Sequence, residues 1–175
     1  MSEITPRQSA LLDALRTQNT EPIPGQALAR QLGVTRQVVV HDIALLRALG
    51  HQILSTPKGY ILQTGSTRQR TLLAVSHPPD KAAVELYTLI DCGLSVVDVR
   101  VEHQIYGEIT GNLYLSSRRD IDHFLAKVND QNVPLLSSLT DGVHYHLVEY
   151  DHDQQLKEAV QQLQHGGIEV FDWTS

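Results

Sequence analysis

The chain has 175 residues, a formal net charge of −6 and 41% hydrophobic residues, which is enough apolar content for packed cores and argues against disorder. No apolar run reaches the roughly 18 residues of a membrane span, and the first residues lack the pattern of a secretory signal. Cys92 is the only cysteine, which excludes an internal disulfide. We therefore expect a cytoplasmic protein that has no membrane partner.

The negative charge is unevenly distributed. Residues 1–70 contain eight Lys or Arg and four Asp or Glu, a net charge of +4. Residues 71–175 contain six basic and sixteen acidic residues, a net charge of −10, together with seven of the nine histidines. A basic segment joined to an acidic body is typical of a DNA-binding module fused to another domain.

The basic segment has the pattern of three helices followed by a hairpin. The helices are expected to begin near Thr5, Gln26 and Thr35, and the hairpin to cover residues 51–62. Gly33 provides the tight turn between the second and third helices. This order predicts a winged helix-turn-helix domain, mainly α-helical with a small β-wing, over residues 1–64.

Strands and helices alternate after a polar linker at residues 64–70. Strands are expected over residues 72–75, 94–101, 109–115 and 144–150, with helical stripes over 83–90, 121–128 and 156–163. The pattern predicts a two-layer α+β domain over residues 71–175.

The start of the third helix carries side chains that can read DNA. Arg can fork onto guanine and Gln onto adenine, while Thr and the helix N-terminus can hold phosphates. The candidate DNA contacts are Thr35, Arg36, Gln37, Val40, His41 and, at the hairpin tip, Lys58. A three-helix unit used for protein contacts has the same pattern, but the local positive charge favours double-stranded DNA. We also expect a homodimer, because one winged helix reads too few base pairs to define an operator.

A second group of candidates contains three histidines and one carboxylate. His144 and His146 lie two residues apart on a predicted strand, so both side chains emerge on one face. His77 ends the first strand of this domain, and Glu85 borders the apolar stripe of the next helix. These four residues can bind a divalent transition metal such as Zn, Ni or Fe, although two histidines at this spacing are weak evidence alone.

Two further residues are candidates for contact with a small molecule. His103 is expected to face the layer interface or a pocket, where a buried core histidine is the competing interpretation. Arg118, at a predicted helix start, can bind a carboxylate in a bidentate fork, or it can form a salt bridge with Asp120 or Asp122.

The chain resembles the niacin-responsive repressors, which join a biotin-repressor-type helix-turn-helix to a three-histidine (3H) domain. The motifs that carry the resemblance are the segment from Thr35 to Ile43, Val75-Ser76-His77, Val101-Glu102-His103, Ser117-Arg118-Arg119-Asp120 and the segment from Leu139 to His146. Val40 departs from the basic residue usual in that family.

The resemblance implies a role for each candidate. His77, Glu85, His144 and His146 match the metal ligands of the family, and His103 is its remaining signature histidine. Nicotinic acid is the implied co-repressor, held by the metal, Arg118 or the Tyr106 ring, and the implied targets are genes for niacin uptake or NAD synthesis.

Three alternatives stay open. A metal-dependent hydrolase fused to a DNA-binding domain can use the same ligands, but no nucleophile motif and no well-placed general base accompany them. A regulator that senses a different small molecule is the second alternative, and a phosphocarrier-like or protein-binding module is the third. We assign no catalytic residue.

Overall fold

The computed structural model describes residues 4–18, 20–63 and 65–171. The chain forms two compact units that divide between Gly65 and Ser66, inside the stretch of the predicted linker. Thr64 and the outermost residues of the two predicted domains lie outside the described residues. Among the described helices, none has the length and apolar character needed to cross a membrane.

The first unit contains the three helices and the hairpin that the sequence predicts. Its elements are α1 (Pro6–Thr17), α2 (Gly25–Leu32), α3 (Arg36–Ala48), β1 (Ile53–Thr56) and β2 (Gly59–Leu62). A capping box starts α1, because the Thr5 hydroxyl accepts from the Gln8 N–H and the Gln8 side chain accepts from the Thr5 N–H. Thr35 caps α3 by accepting a hydrogen bond from the Val38 N–H.

Packing in this unit leaves the start of α3 at the surface. Leu11 of α1, Leu28 of α2 and Ile43 of α3 are almost completely buried against one another in a single core. Gly33 ends α2 in the left-handed conformation (φ +66°), which favours glycine and turns the chain sharply into α3. The architecture is therefore a winged helix-turn-helix.

The second unit is a five-stranded sheet with helices. Its elements are β3 (Gln69–Ser76), α4 (Ala82–Asp91), β4 (Ser95–His103), β5 (Gly107–Leu115), α5 (Arg118–Gln131), β6 (Val143–Tyr150), α6 (Asp153–His165) and β7 (Glu169–Phe171). The strand order is β5-β4-β6-β3-β7, and every pairing is antiparallel. Short 3₁₀ helices at Pro79–Lys81 and Leu136–Thr140 precede α4 and β6.

The helices of this unit share one core with one face of the sheet. Buried leucines and other apolar residues of α4, α5 and α6 contact sheet residues such as Leu73, Val75 and Val148. The register of β3 and β6 pairs Leu73 with His146 and Val75 with His144, so these two histidines also point to the helical side. This unit has the two-layer α+β architecture that the sequence predicts.

Strand β4 departs from the expected alternation where it pairs with β6. Val96 of β4 pairs with Val148, whereas Arg100 pairs with Tyr145, so β4 contains one extra residue, a β-bulge. Strict alternation along this strand would place Val97 on the same face as Val99, Val101 and His103. The bulge changes the alternation before Arg100, so Val97 does not share that face.

Candidate functional site

The first candidate site is the exposed side of α3. Val39, Ile43 and Leu46 hold the opposite side of this helix in the core. The side chains left at the surface are those of the cap and of the first two turns: Thr35, Arg36, Gln37, Val40 and His41. An exposed helix end with an arginine and a glutamine has the chemistry and the shape needed to enter a major groove.

Lys58 lies at the turn of the β1–β2 hairpin, the wing of the first unit. Its Nζ is 2.9 Å from the Glu21 carboxylate, whose side chain is exposed. A phosphate that binds Lys58 must therefore compete with a neighbouring acid.

The second candidate site is a buried cluster in the second unit. His77 directly follows β3, Glu85 lies in the first turn of α4, and His144 and His146 lie on β6. All four residues are at least 95% buried. They come together although β6 lies far from β3 and α4 in the chain. The sequence predicted these residue types, and the fold brings them together.

Glu85 is the centre of the cluster. Its carboxylate is 3.2 Å from His144 Nε2 and 2.9 Å from His146 Nε2, and it also contacts His77 Nε2. The possible ligand atoms of His77, Glu85 and His144 all lie within 4.8 Å of one another. The rings of His77 and His146 each stand nearly perpendicular to that of His144, so their edges converge.

The other nitrogen of each ring is used in the same way in all three histidines. Nδ1 lies 2.8 Å from a backbone carbonyl oxygen, that of Pro78 for His77, of Gly142 for His144 and of Asp98 for His146. A carbonyl only accepts hydrogen bonds, so each Nδ1 must carry a proton. The Nε2 atom of a neutral ring then presents its lone pair to Glu85.

This donor set fits a metal ion. Three lone pairs that face a carboxylate repel it unless positive charge, a proton or a cation, lies among them. Three imidazoles and one carboxylate are ligands that zinc, nickel and iron accept. Backbone carbonyls that fix the Nδ1 protons are the usual second layer of contacts around metal-binding histidines.

The pKa values of the cluster have the same electrostatic origin. Burial lowers the pKa of His77 and of His146, but the negative charge and hydrogen bonds of Glu85 outweigh burial and leave both pKa values raised. Burial raises the pKa of Glu85, yet the charge of His146 and hydrogen bonds from the three rings hold it well below its usual range. The site therefore attracts positive charge although it is buried.

Three backbone groups in the cluster were not identified from the sequence, the carbonyls of Pro78, Asp98 and Gly142. The Gly142 carbonyl accepts from His144 Nδ1 and also from the His77 N–H. The only available signal was the Asp141-Gly142 pair, which marks a turn but not a contact with histidines.

His103 and Tyr106 lie together at the turn between β4 and β5. His103 Nδ1 accepts hydrogen bonds from the N–H groups of Ile105 and Tyr106, and the two rings are 5.1 Å apart. His103 is half-buried and Tyr106 is exposed. Arg100 pairs with Tyr145, so Val101 is level with His144, and His103 lies about 7 Å further along the same sheet face.

Arg118 is paired with a different acid from the two that the sequence analysis considered. Its guanidinium forms a bidentate pair with Asp91 and lies over the ring of Tyr87. Asp120, by contrast, completes the capping box of α5 with Ser117. Asp91 lies about 9 Å along α4 from Glu85, so the structure does not bring Arg118 into the histidine cluster.

Comparisons with known proteins agree with both units. The chain matches the family model of a helix-turn-helix domain over residues 7–61 and that of the 3H domain over residues 70–171. It is 35% identical over 159 residues to the transcription repressor NadR of Bacillus subtilis, a match that covers 89% of this chain and 88% of that protein. It is 37% identical over 166 residues to the probable transcription repressor NiaR of Thermotoga maritima, which covers 94% of this chain and 95% of that protein.

Both relatives are named as transcription repressors, and the helix-turn-helix match extends over the exposed helix α3. This protein is accordingly a regulator and not the metal-dependent hydrolase of the alternative interpretation. The chain belongs to the family of transcription repressors that join a helix-turn-helix domain to a 3H domain.

Proposed function

We propose that this protein represses genes of niacin uptake or NAD synthesis, with nicotinic acid as its co-repressor and a divalent metal in its 3H domain. The observation that carries the proposal is the buried cluster of three histidines and Glu85 in a chain that also has a DNA-reading helix. A buried set of metal-type ligands in a chain that also carries a DNA-binding domain is expected of a sensor.

The proposed DNA contacts are the exposed residues of α3 and the wing. Arg36 and Gln37 read base edges in the major groove of operator DNA, Thr35 and the helix N-terminus bind phosphate, and Lys58 binds the backbone. Val40 and His41 lie one turn further along α3, where they contact the neighbouring base pairs.

The proposed metal ligands are His77, Glu85, His144 and His146. Zinc, nickel or iron bound there supplies a Lewis acid that can hold the carboxylate or the ring nitrogen of a pyridine acid. The residues of this chain contribute the fixed Nδ1 protons, the negative charge of Glu85 and a site closed to bulk water.

The proposed effector contacts outside the metal are His103, Tyr106 and Arg118. His103 lies on the sheet face of His144, which supports a role beside the metal, and Tyr106 offers an aromatic ring next to it. Arg118 is the least supported of the three, because Asp91 already occupies its guanidinium. The effector must bind the DNA-competent conformation more tightly than the other, or it shifts nothing.

A DNA-binding titration tests the proposal. Duplexes from upstream of niacin-transporter and NAD-synthesis genes are titrated with metal-loaded protein, with nicotinic acid, with nicotinamide and without effector. We expect nicotinic acid to change the DNA affinity by roughly 5- to 150-fold, the usual range of coupling between two sites. Nicotinamide, which lacks the carboxylate, should have a smaller effect. A response only to nicotinamide would replace the effector, and no response to either compound would refute nicotinic acid as the co-repressor.

Variants separate the metal from the DNA-reading helix. His144→Ala and His146→Ala should lose the metal and the nicotinic acid response but keep DNA binding without effector. His123→Ala, at an exposed position of α5, is the matched control and should keep all three. Calorimetry of nicotinic acid on chelator-stripped protein completes the test, since unchanged affinity without metal would place the effector elsewhere.

A further inference from the structure

A buried carboxylate in the middle of α3 has no part in the DNA contacts proposed above. Asp42 follows His41 directly, but its side chain is only 1% exposed. It lies on the core side of α3 between Val39 and Ile43, two fully buried apolar residues. A charged group in such a position costs free energy of desolvation unless every lone pair is satisfied.

The partners of Asp42 come from the first turn of α1. Arg7 donates from Nε to Oδ2 at 2.6 Å and from Nη2 to Oδ1 at 3.1 Å, which is a bidentate fork. Gln8 donates from Nε2 to Oδ1 at 3.3 Å. Hydrogen bonds from Arg7 are the main reason that the pKa of Asp42 is lowered, so the carboxylate stays ionised at neutral pH.

Gln8 connects this contact to the end of α1. Its amide group donates to Asp42, while its Oε1 accepts from the Thr5 N–H and closes the capping box of α1. The same side chain therefore fixes where α1 begins and how α1 is joined to α3. One connected set of hydrogen bonds therefore joins α1 to α3, and it consists of Thr5, Arg7, Gln8 and Asp42.

Directional bonds fix a property that apolar packing leaves loosely defined, the rotation of α3 about its own axis. Leucine and valine contacts tolerate small rotations, whereas a bidentate fork requires a set distance and angle. With side-chain tips about 5–6 Å from the helix axis, a rotation of about 20° moves them by about 2 Å. A displacement of that size is enough to break a bidentate contact between an arginine and a guanine.

We propose that Asp42 is a positioning residue for DNA recognition: held by Arg7 and Gln8, it sets the rotation at which α3 presents Arg36 and Gln37 to the bases. Arg7 then serves α3 and is not a phosphate contact, although it is a cation at the surface of the DNA-binding domain. The inference rests on the proposed base contacts of α3.

The test separates positioning from simple stability. The full-length wild-type protein selects a preferred duplex from a random pool, and affinities for that duplex and for poly(dI-dC) are then measured. Asp42→Asn keeps the size of the side chain but loses the acceptor fork. Partial unfolding lowers both affinities by the same factor, whereas a misplaced helix lowers only the sequence-specific one.

We expect Asp42→Asn and Arg7→Lys each to weaken binding to the selected duplex by about 10-fold, within the range for one lost bidentate base contact. Binding to poly(dI-dC) should be maintained. Arg7 is 43% exposed and lysine keeps its charge, so we expect this variant to fold and to isolate the fork geometry. The variant that combines both changes should lose little more than either alone.

Asp13→Asn is the matched control. It makes the same chemical change on α1 at an exposed position whose ion pair, with Arg16, stays within the helix. It corrects for the loss of one negative charge in Asp42→Asn. It should leave unchanged the ratio of the affinities for the selected duplex and for poly(dI-dC). Equal losses on both DNAs, or no loss in Asp42→Asn and Arg7→Lys, would overturn the inference, whereas a wild-type protein that selects no sequence would refute the proposed DNA reading itself.

Discussion

At the scale of single residues, the three buried histidines use both ring nitrogens. Each Nδ1 is committed to a backbone carbonyl, and each Nε2 faces Glu85. Because the carboxylate raises the pKa of His77 and of His146, protons persist on these rings above the ordinary imidazole value of about 6.5. A metal ion must displace those protons.

The affinity for metal should therefore fall as the pH is lowered, and the fall should begin above the ordinary imidazole pKa of about 6.5. In the metal-free protein the protonated rings stabilise the fold at low pH, and this contribution is lost as the pH rises through the raised pKa values. Added Zn²⁺ should accordingly raise the unfolding temperature most at the alkaline end. Calorimetry and thermal unfolding in buffers of different ionisation enthalpy measure both effects, and a pH-independent affinity would contradict the ligand assignment.

Gly142 is a second residue whose role depends on the cluster. Its φ is +93°, and a Cβ added there would lie 2.5 Å from the carbonyl oxygen of His77. Its own carbonyl accepts from the His77 N–H and from the His144 ring. Gly142→Ala should thus displace two ligands and weaken metal binding by about 10- to 100-fold, as other losses of supporting contacts do.

Gly107→Ala is the control for backbone strain in this experiment. Gly107 also has a positive φ, +72°, but a Cβ there meets nothing within 4 Å. This variant should lose about 1 kcal/mol of stability and bind the metal normally. Titration of Zn²⁺ into both chelator-treated variants measures their affinities for the metal. Equal affinities would show that Gly142 does not position the ligands.

At the scale of elements, we expect α3 and the wing to have separable tasks in DNA binding. Arg36→Ala and Gln37→Ala should each lose about 1–3 kcal/mol of discrimination between the selected and altered duplexes. Lys58→Ala should weaken all sequences alike and reduce the slope of log affinity against log salt by about one. Glu21→Gln removes the acid beside Lys58 and should strengthen binding to all sequences alike. Equal losses on specific and random DNA for every variant would contradict the assignment of α3 as the reading helix.

In the sheet of the 3H domain, a single bulge changes the face on which a residue lies. The bulge in β4 keeps Val99 and Val101 on the face of the histidine cluster but changes the position of Val97. It also leaves the Asp98 carbonyl in place to accept from His146. A hydrophobic pattern with period two does not encode an inserted residue, so this contact had to come from the fold.

At the scale of the whole molecule, the chain combines a basic reading domain with an acidic 3H domain. A single winged helix contacts only a few base pairs, so selective repression requires two copies on a two-fold symmetric site. We expect a homodimer held through the 3H domain, because the sequence contains no zipper. Sedimentation velocity at micromolar concentration, alone and with the selected duplex, should show two chains. A monomer in both conditions would contradict the prediction.

The sequence by itself determined the local structure and the chemical types of the candidate residues. The helix starts near Thr5, Thr35 and Arg118 could be predicted because the caps that fix them act over three residues. The helical stripes and the charge difference between the two parts were readable for the same reason, since composition and short spacings carry them. These signals were sufficient for a winged helix-turn-helix and a two-layer α+β domain.

Only the tertiary structure decided which distant residues meet. His77, Glu85 and the β6 histidines converge because β3 and β6 pair in one register and α4 packs against the same face of the sheet. Asp42 meets Arg7, 35 positions away, and Arg118 meets Asp91 instead of the acids beside it. Such pairs depend on register, bulges and helix packing, which are set by the whole core and leave no periodic trace in the chain.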